Sequence, residues 1–109
     1  MKRTEIITYD LSNYKMLDYV DVKTGKHFYD ENLFINENGE VISTKHVNMK
    51  KLKPIKTNGY ITVMIGYGEL MYIQRAVAHL FLSNPNNLLN IRFKDGNKMN
   101  CCLTNLEWR

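Results

Sequence analysis

From Gly59 to Ile65 the chain alternates two sets of side chains, Tyr60, Thr62 and Met64 against Ile61, Val63 and Ile65, and both sets are largely apolar. A period of two marks a strand, and a strand apolar on both sides belongs near the centre of a sheet. In a chain of 109 residues there is material for one domain with a real core and too little for two ordinary ones, so the flanking segments must supply that strand's partners. Gly66-Tyr67-Gly68 turns the strand, and Leu70 to Ile73 returns beside it. The helix follows at once, predicted over Gln74 to Leu82: Ile73, Val77, Leu80 and Phe81 recur at helical spacing and direct one apolar stripe toward the sheet. Ser83-Asn84-Pro85-Asn86-Asn87 then stops it with a proline and turn-forming residues.

Upstream, Tyr14 to Phe28 alternates loosely and reads as a strand entering a tight turn at Lys23-Thr24-Gly25-Lys26. Leu33-Phe34-Ile35 and Val41-Ile42-Ser43 flank Asn38-Gly39, whose positive backbone angles suit a hairpin. The stretch His46 to Lys56 is basic, holds Pro54, and reads as an exposed link. Leu88 to Phe93 is β-like and leads into the turn Asp95-Gly96-Asn97. The expected architecture is α+β, with small antiparallel β-hairpins and one main helix, organised as a single domain 1–109 with an N-terminal β-hairpin region at 1–45.

Hydrophobic residues at 44% and charged residues at 24% are ordinary globular values and exclude wholesale disorder. No apolar run approaches the roughly 20 residues that span a bilayer. The N-terminal MKRTEIITYDLSN lacks the apolar stretch of a signal peptide, so a soluble, cytoplasmic protein that meets no membrane is expected. Cys101 and Cys102 are adjacent, so a bond between them would be strained; both are expected as reduced thiols with at least one buried, and no cysteine or histidine spacing suggests zinc. Residues 1–40 carry eight acids against five bases, whereas residues 41–109 carry ten bases against three acids. The second part is therefore the one that attracts polyanions.

The run from Asn58 to Trp108, NGYITVMIGYGELMYIQRAVAHLFLSNPNNLLNIRFKDGNKMNCCLTNLEW, resembles segment by segment the HNH endonucleases of phage and mobile-intron type. Their core reads roughly NGY-strand, HR-x-VA-x-x-F helix, NP, then NHIDGNK-x-NN-x-x-x-NLEW. The resemblance makes 46–109 a degenerate HNH-like core and implies a ββα-metal finger, in which two strands and a helix hold one divalent cation on the scissile phosphate while a histidine activates water. At the position that the resemblance gives to this histidine stands Phe93, which accepts no proton, and at the preceding metal-serving position stands Arg92, a permanent cation without a lone pair. Gln74 replaces the histidine of the helix motif. In the family the NLEW segment leads into a helix bearing the last ligand; this sequence ends one residue after Trp108, so the finger is expected truncated, without that helix.

Scaffold residues persist where reactive ones do not. Asp95, Asn100 and Asn105 match the residues that the resemblance assigns to bracing the loop, so Arg92, Phe93, Asp95, Asn100 and Asn105 form a vestigial HNH site with no catalytic residue, metal or cofactor expected. His27, His46 and His79 read as exposed or packed histidines rather than ligands. Lys50, Lys51, Lys53, Lys56, Arg75, Arg92, Lys94 and Lys98 are the candidates for binding nucleic acid or a partner, with Tyr60, Tyr67 and Tyr72 as stacking residues or the outer layer of the sheet. The acidic front end, with Tyr9, Tyr14, Tyr19, Phe28 and Tyr29, suits a protein partner or self-association into a homo-oligomer. The expectation is a nuclease-dead, phage- or mobile-element-encoded binder that occupies a nucleic acid or host nucleoprotein complex and inhibits it, as an anti-CRISPR protein would against a CRISPR effector with its guide RNA. An active divergent homing endonuclease or nickase, and a DNA-binding regulator, are the alternatives.

Overall fold

The computed structural model describes residues 5–109, with Tyr67 described by its backbone alone, so the stacking expected of the Tyr67 ring lies outside the described residues. The chain begins with a long antiparallel hairpin, β1 (Tyr14–Val20) and β2 (His27–Asn36). Asp21 builds its turn: the carboxylate Oδ1 accepts the backbone N–H groups of Lys23 (2.9 Å) and Thr24 (3.2 Å), and the Asp21 carbonyl accepts that of Gly25 (2.8 Å). Beyond the expected strand from Tyr14 to Phe28 and the separate run Leu33-Phe34-Ile35, the structure keeps β2 as one strand and takes up its irregularity as a bulge, with Met16 opposite Phe34 and Leu17 opposite Asp30.

The expected Asn-Gly hairpin joins β2 to β3 (Val41–Ser43). Asn36 Oδ1 accepts from Glu40 N–H (2.9 Å) and Asn38 N–H (3.1 Å), and Gly39 has φ +80°. A Cβ at Gly39 would also stand 2.5 Å from Ile73 Cγ2, so both the angle and the space require glycine.

The expected link is partly strand. Lys50–Lys51 forms β4, completing a sheet in the order β1-β2-β3-β4, and Ile55–Thr57 forms β5 of a second sheet. Two- and three-residue edge strands carry too little alternation to be seen in sequence. In the second sheet β6 (Tyr60–Ile65) is central, between β5 and β7 (Glu69–Tyr72). The helix α1 spans Ile73–Phe81, one residue earlier than its periodicity suggests, so Ile73 opens the helix rather than ending the strand. A third sheet pairs β8 (Ile91–Phe93), shorter than the run expected from Leu88, with β9 (Leu106–Trp108).

The helix is the hub. Ala76, Val77 and Ala78 are fully buried, and small side chains let the helix approach strands of all three sheets. Leu17, Leu33, Ile35 and Val41 from the first sheet meet Val63, Met71, Ile73 and Leu106 in one hydrophobic cluster. The front end and the nuclease-like portion thus share a core. Each buried aliphatic side chain contributes roughly 1.5–3 kcal/mol. Cys101 is buried and Cys102 half-buried, both as free thiols, and burial pushes the Cys101 thiol up to about 11. No helix among the described residues is long and apolar enough to cross a membrane.

The central strand β6 turns Ile61, Val63 and Ile65 to the core, while on its other face Thr62 is covered and Met64 is 53% exposed.

Candidate functional site

The finger is a two-stranded hairpin closed by a long loop that its own side chains tie together. Asn105 is buried and makes both ends of its amide work: Oδ1 accepts from Asp95 N–H (3.0 Å), and Nδ2 donates to Asp95 Oδ1 (2.9 Å) and to the Asn100 carbonyl (2.9 Å). Asp95 Oδ2 accepts from Asn100 Nδ2 (3.0 Å), and Oδ1 also accepts from Asn97 N–H (2.8 Å). The hydrogen bonds from Asn100, then Asn97 and Asn105, hold the Asp95 carboxyl below its usual range. Leu103 N–H donates to the Glu37 carbonyl (2.8 Å), which docks the loop on the β2–β3 turn.

At the head of β8 the chemistry is different. Arg92 is exposed and forms an ion pair with Glu107, its cross-strand neighbour. Phe93 is half-buried, packs against the core, and stands 6.2 Å from the Tyr60 ring, centroid to centroid. A divalent cation needs convergent oxygen or nitrogen lone pairs. Here the guanidinium and phenyl groups supply none, Glu107 is taken by Arg92, and both oxygens of Asp95 are engaged by the loop. The residues of the finger do not fit the metal implied by the resemblance. Among the described residues no three histidine, cysteine, aspartate or glutamate side chains gather into a metal-sized cluster.

The eight candidate cations divide into two groups. Lys50, Lys53, Lys56 and Lys94 are exposed and form no ion pair among the described residues. Lys98 is exposed as well, its ammonium 4.9 Å over the Tyr60 ring. Lys51 is paired with Glu40, and Arg92 with Glu107. Arg75 turns inward. Its Nε and Nη2 bind the Asp21 carboxylate at 2.7 and 2.9 Å, and Nη1 donates to the Leu89 carbonyl at 3.2 Å. With its side chain only 17% exposed, Arg75 fastens the front hairpin to the helix instead of reaching for phosphate.

That fastening extends further than the sequence indicates. His79 accepts the Val22 N–H at Nε2 (3.0 Å) and places Nδ1 2.6 Å from the Arg75 carbonyl, so its neutral form with the proton on Nδ1 satisfies both contacts. Its ring stacks on Tyr19 (4.7 Å) and meets Trp108 edge-on (4.9 Å). Trp108 Nε1 in turn donates to the Leu82 carbonyl (3.1 Å). Tyr19 and Phe28, expected on a partner-facing surface, are stacked at 5.0 Å in this interior layer; Tyr29, 54% exposed, remains outside. His27 is exposed and contacts Asp18 at 2.7 Å, and His46 is exposed. Burial of Asp21 alone would raise its pKa, but the Arg75 guanidinium and the N–H groups of Lys23 and Thr24 more than reverse this. The DVKTG turn signals Asp21 locally, yet its partner Arg75 lies 54 residues away.

The one-helix fold, with three antiparallel sheets and a ββ finger braced by Asp95, Asn100 and Asn105, is similar to that of an HNH homing endonuclease. No family model matches the chain. It is 40% identical over 83 residues, 72% of its length, to an uncharacterized HNH endonuclease of Acanthamoeba polyphaga mimivirus. It also aligns over 88% of its length with the HNH homing endonuclease I-HmuI, solved in a study of that enzyme's DNA binding and cleavage, at a TM-score of 0.66 and 30% identity. The chain spans 24% of the viral relative and 51% of the I-HmuI chain. In sequence and in fold the chain is HNH-like.

Proposed function

We propose that this chain is a nuclease-dead HNH-like binding protein that acts by occupying nucleic acid or a nucleoprotein surface. The observation that carries the proposal is the pairing of an intact brace with a converted reaction centre. Asp95, Asn100 and Asn105 keep the finger in shape, while Arg92 and Phe93 stand where the family resemblance would put a metal-serving residue and the base. Neither a guanidinium nor a phenyl ring activates water. The exposed lysines favour a polyanionic partner, in line with the DNA binding described for I-HmuI. A viral relative supports an origin in a phage or mobile element. In that setting a small binder of this kind would inhibit a host nucleic-acid-processing complex, of which a CRISPR effector is one form.

The test is a gel shift with supercoiled plasmid in magnesium or manganese, which reads binding and cleavage together. The proposal expects a shift that weakens steeply with salt, through counterion release, and leaves the plasmid intact. Nicking by the pure chain that disappears in Asn105→Ala, with binding retained, would favour the alternative of an active divergent nuclease.

A further inference from the structure

An antiparallel sheet with one face on the core ordinarily turns polar side chains outward. The second sheet does not. Pairing of Ile55 with Thr62, Thr62 with Tyr72, Met64 with Leu70 and Thr57 with Tyr60 places all of these side chains on the face turned away from the core. Ile55, Met64, Leu70 and Tyr72 are each between 36% and 53% exposed. Thr62 forms the floor, fully buried, with its hydroxyl bonded to the Ile55 carbonyl and the Thr57 hydroxyl at 3.0 Å each. What this face offers is therefore rings and aliphatic carbon, without one charged side chain in the paired register.

Cations stand at its margin. Lys98 reaches from the finger loop over Tyr60. Lys94 follows Phe93, whose ring lies 6.2 Å from that of Tyr60, centroid to centroid, whereas Lys56 pairs with Ile61 and so belongs to the opposite face. Tyr60 and Tyr72 meet edge to face at 5.9 Å, which fixes the two rings relative to each other. Apolar rings bordered by ammonium groups match a ligand with flat π faces along an anionic backbone. A duplex presents only its phosphates to such a surface, because its bases are already stacked on one another. An unpaired strand presents both, and aromatic side chains on an open sheet bind its bases by stacking with little regard to sequence.

We propose that the outer face of the second sheet, centred on Tyr60 and Tyr72 with Lys98 above, binds the unpaired bases of single-stranded DNA or RNA. The inference rests on the nucleic-acid reading above and makes it narrower: the former nuclease domain holds single strands. Replacing the catalytic histidine of the resembling enzymes by Phe93 then extends the aromatic surface instead of leaving a gap.

The experiment is fluorescence anisotropy of the full chain with labelled oligothymidylate, labelled oligouridylate and a duplex of the same length, at low salt. Both single strands are expected to bind more tightly than the duplex. Tyr72→Ala should weaken them about tenfold and leave duplex affinity unchanged. Tyr72→Leu keeps an apolar cover over Thr62 but removes the ring, so it separates stacking from folding; it should behave like Tyr72→Ala. If both variants bind single strands like the parent while Lys53→Glu and Lys56→Glu weaken every ligand alike, the face is not the site and the nucleic-acid reading stands. If no oligonucleotide binds, that reading fails and this proposal with it, and the face is left to a protein partner.

Discussion

Two glycines with nearly the same backbone angle differ in what surrounds them, which allows the docking of the β2–β3 turn on the helix to be measured. Gly25 has φ +75° with nothing within 4 Å of an added Cβ, whereas Gly39 has φ +80° with Ile73 Cγ2 at 2.5 Å. Alanine at Gly25 meets the left-handed backbone penalty alone, about 1 kcal/mol after allowing for the reduced freedom of the unfolded chain. Alanine at Gly39 meets that penalty and must also displace a branched, 1% exposed side chain at the first turn of the helix. Overpacking of this kind adds roughly 1–3 kcal/mol, for a total of about 2–4 kcal/mol. Urea denaturation followed through Trp108, the single tryptophan, which sits against His79, reads both variants. The slopes should be unchanged and the midpoints well separated. Equal losses for the two substitutions would refute the claim that this turn is pressed against the helix.

The Asp21–Arg75 pair gives a second test: Asp21→Ala leaves a guanidinium inside the structure and should cost about 3–5 kcal/mol, read by the same denaturation, while a loss below about 1 kcal/mol would mark the pair as a surface contact. His79 gives a pH dependence. Burial lowers its pKa below the ordinary value, opposed by the hydrogen bond to the Arg75 carbonyl and by the Asp21 charge and reinforced by the Arg75 guanidinium; the unfolded chain therefore takes up the proton first, stability is fully present above about pH 6.5, and it falls as pH drops through the folded value. His79→Leu should flatten that slope between pH 5 and 7, whereas an unchanged slope would assign it to other groups. In the finger, Asn105→Ala removes three hydrogen bonds and should speed amide exchange at Asp95 in particular; protection equal to the parent would mean that the loop does not depend on its brace.

The hairpin at Asn38-Gly39, the central strand and the helix are legible in sequence because each rests on local chemistry: a turn that needs positive φ, a period of two, a period near four. The brace of the finger is legible for a similar reason, since Asp95, Asn100 and Asn105 lie within one loop. The HNH-like assignment follows from those segments together. Other features depend on partners distant in sequence. Lys51 carries no sign that Glu40 will hold it, and Arg75 reads as a free cation at a helix start until the fold delivers Asp21 to it. Strand β4 exists because Ile42 and Ser43 offer an edge, not because Lys50 and Lys51 favour one. Hydrophobicity on both sides of β6 signals burial of both faces; sequence alone does not distinguish a buried face from one kept apolar for a ligand. Tyr19 and Phe28 illustrate the converse, aromatic residues in an acidic segment that serve the interior.

The account turns on the inability of the head of β8 to take a metal. Adding manganese to the isotopically labelled chain and following the amide signals of Arg92, Phe93, Asp95 and Asn105 tests this directly, because a bound paramagnetic ion broadens its neighbours selectively. The account predicts no broadening at these residues beyond that of other exposed amides. Saturable, selective loss of the Arg92 and Asp95 signals, reversed by excess magnesium, would contradict it.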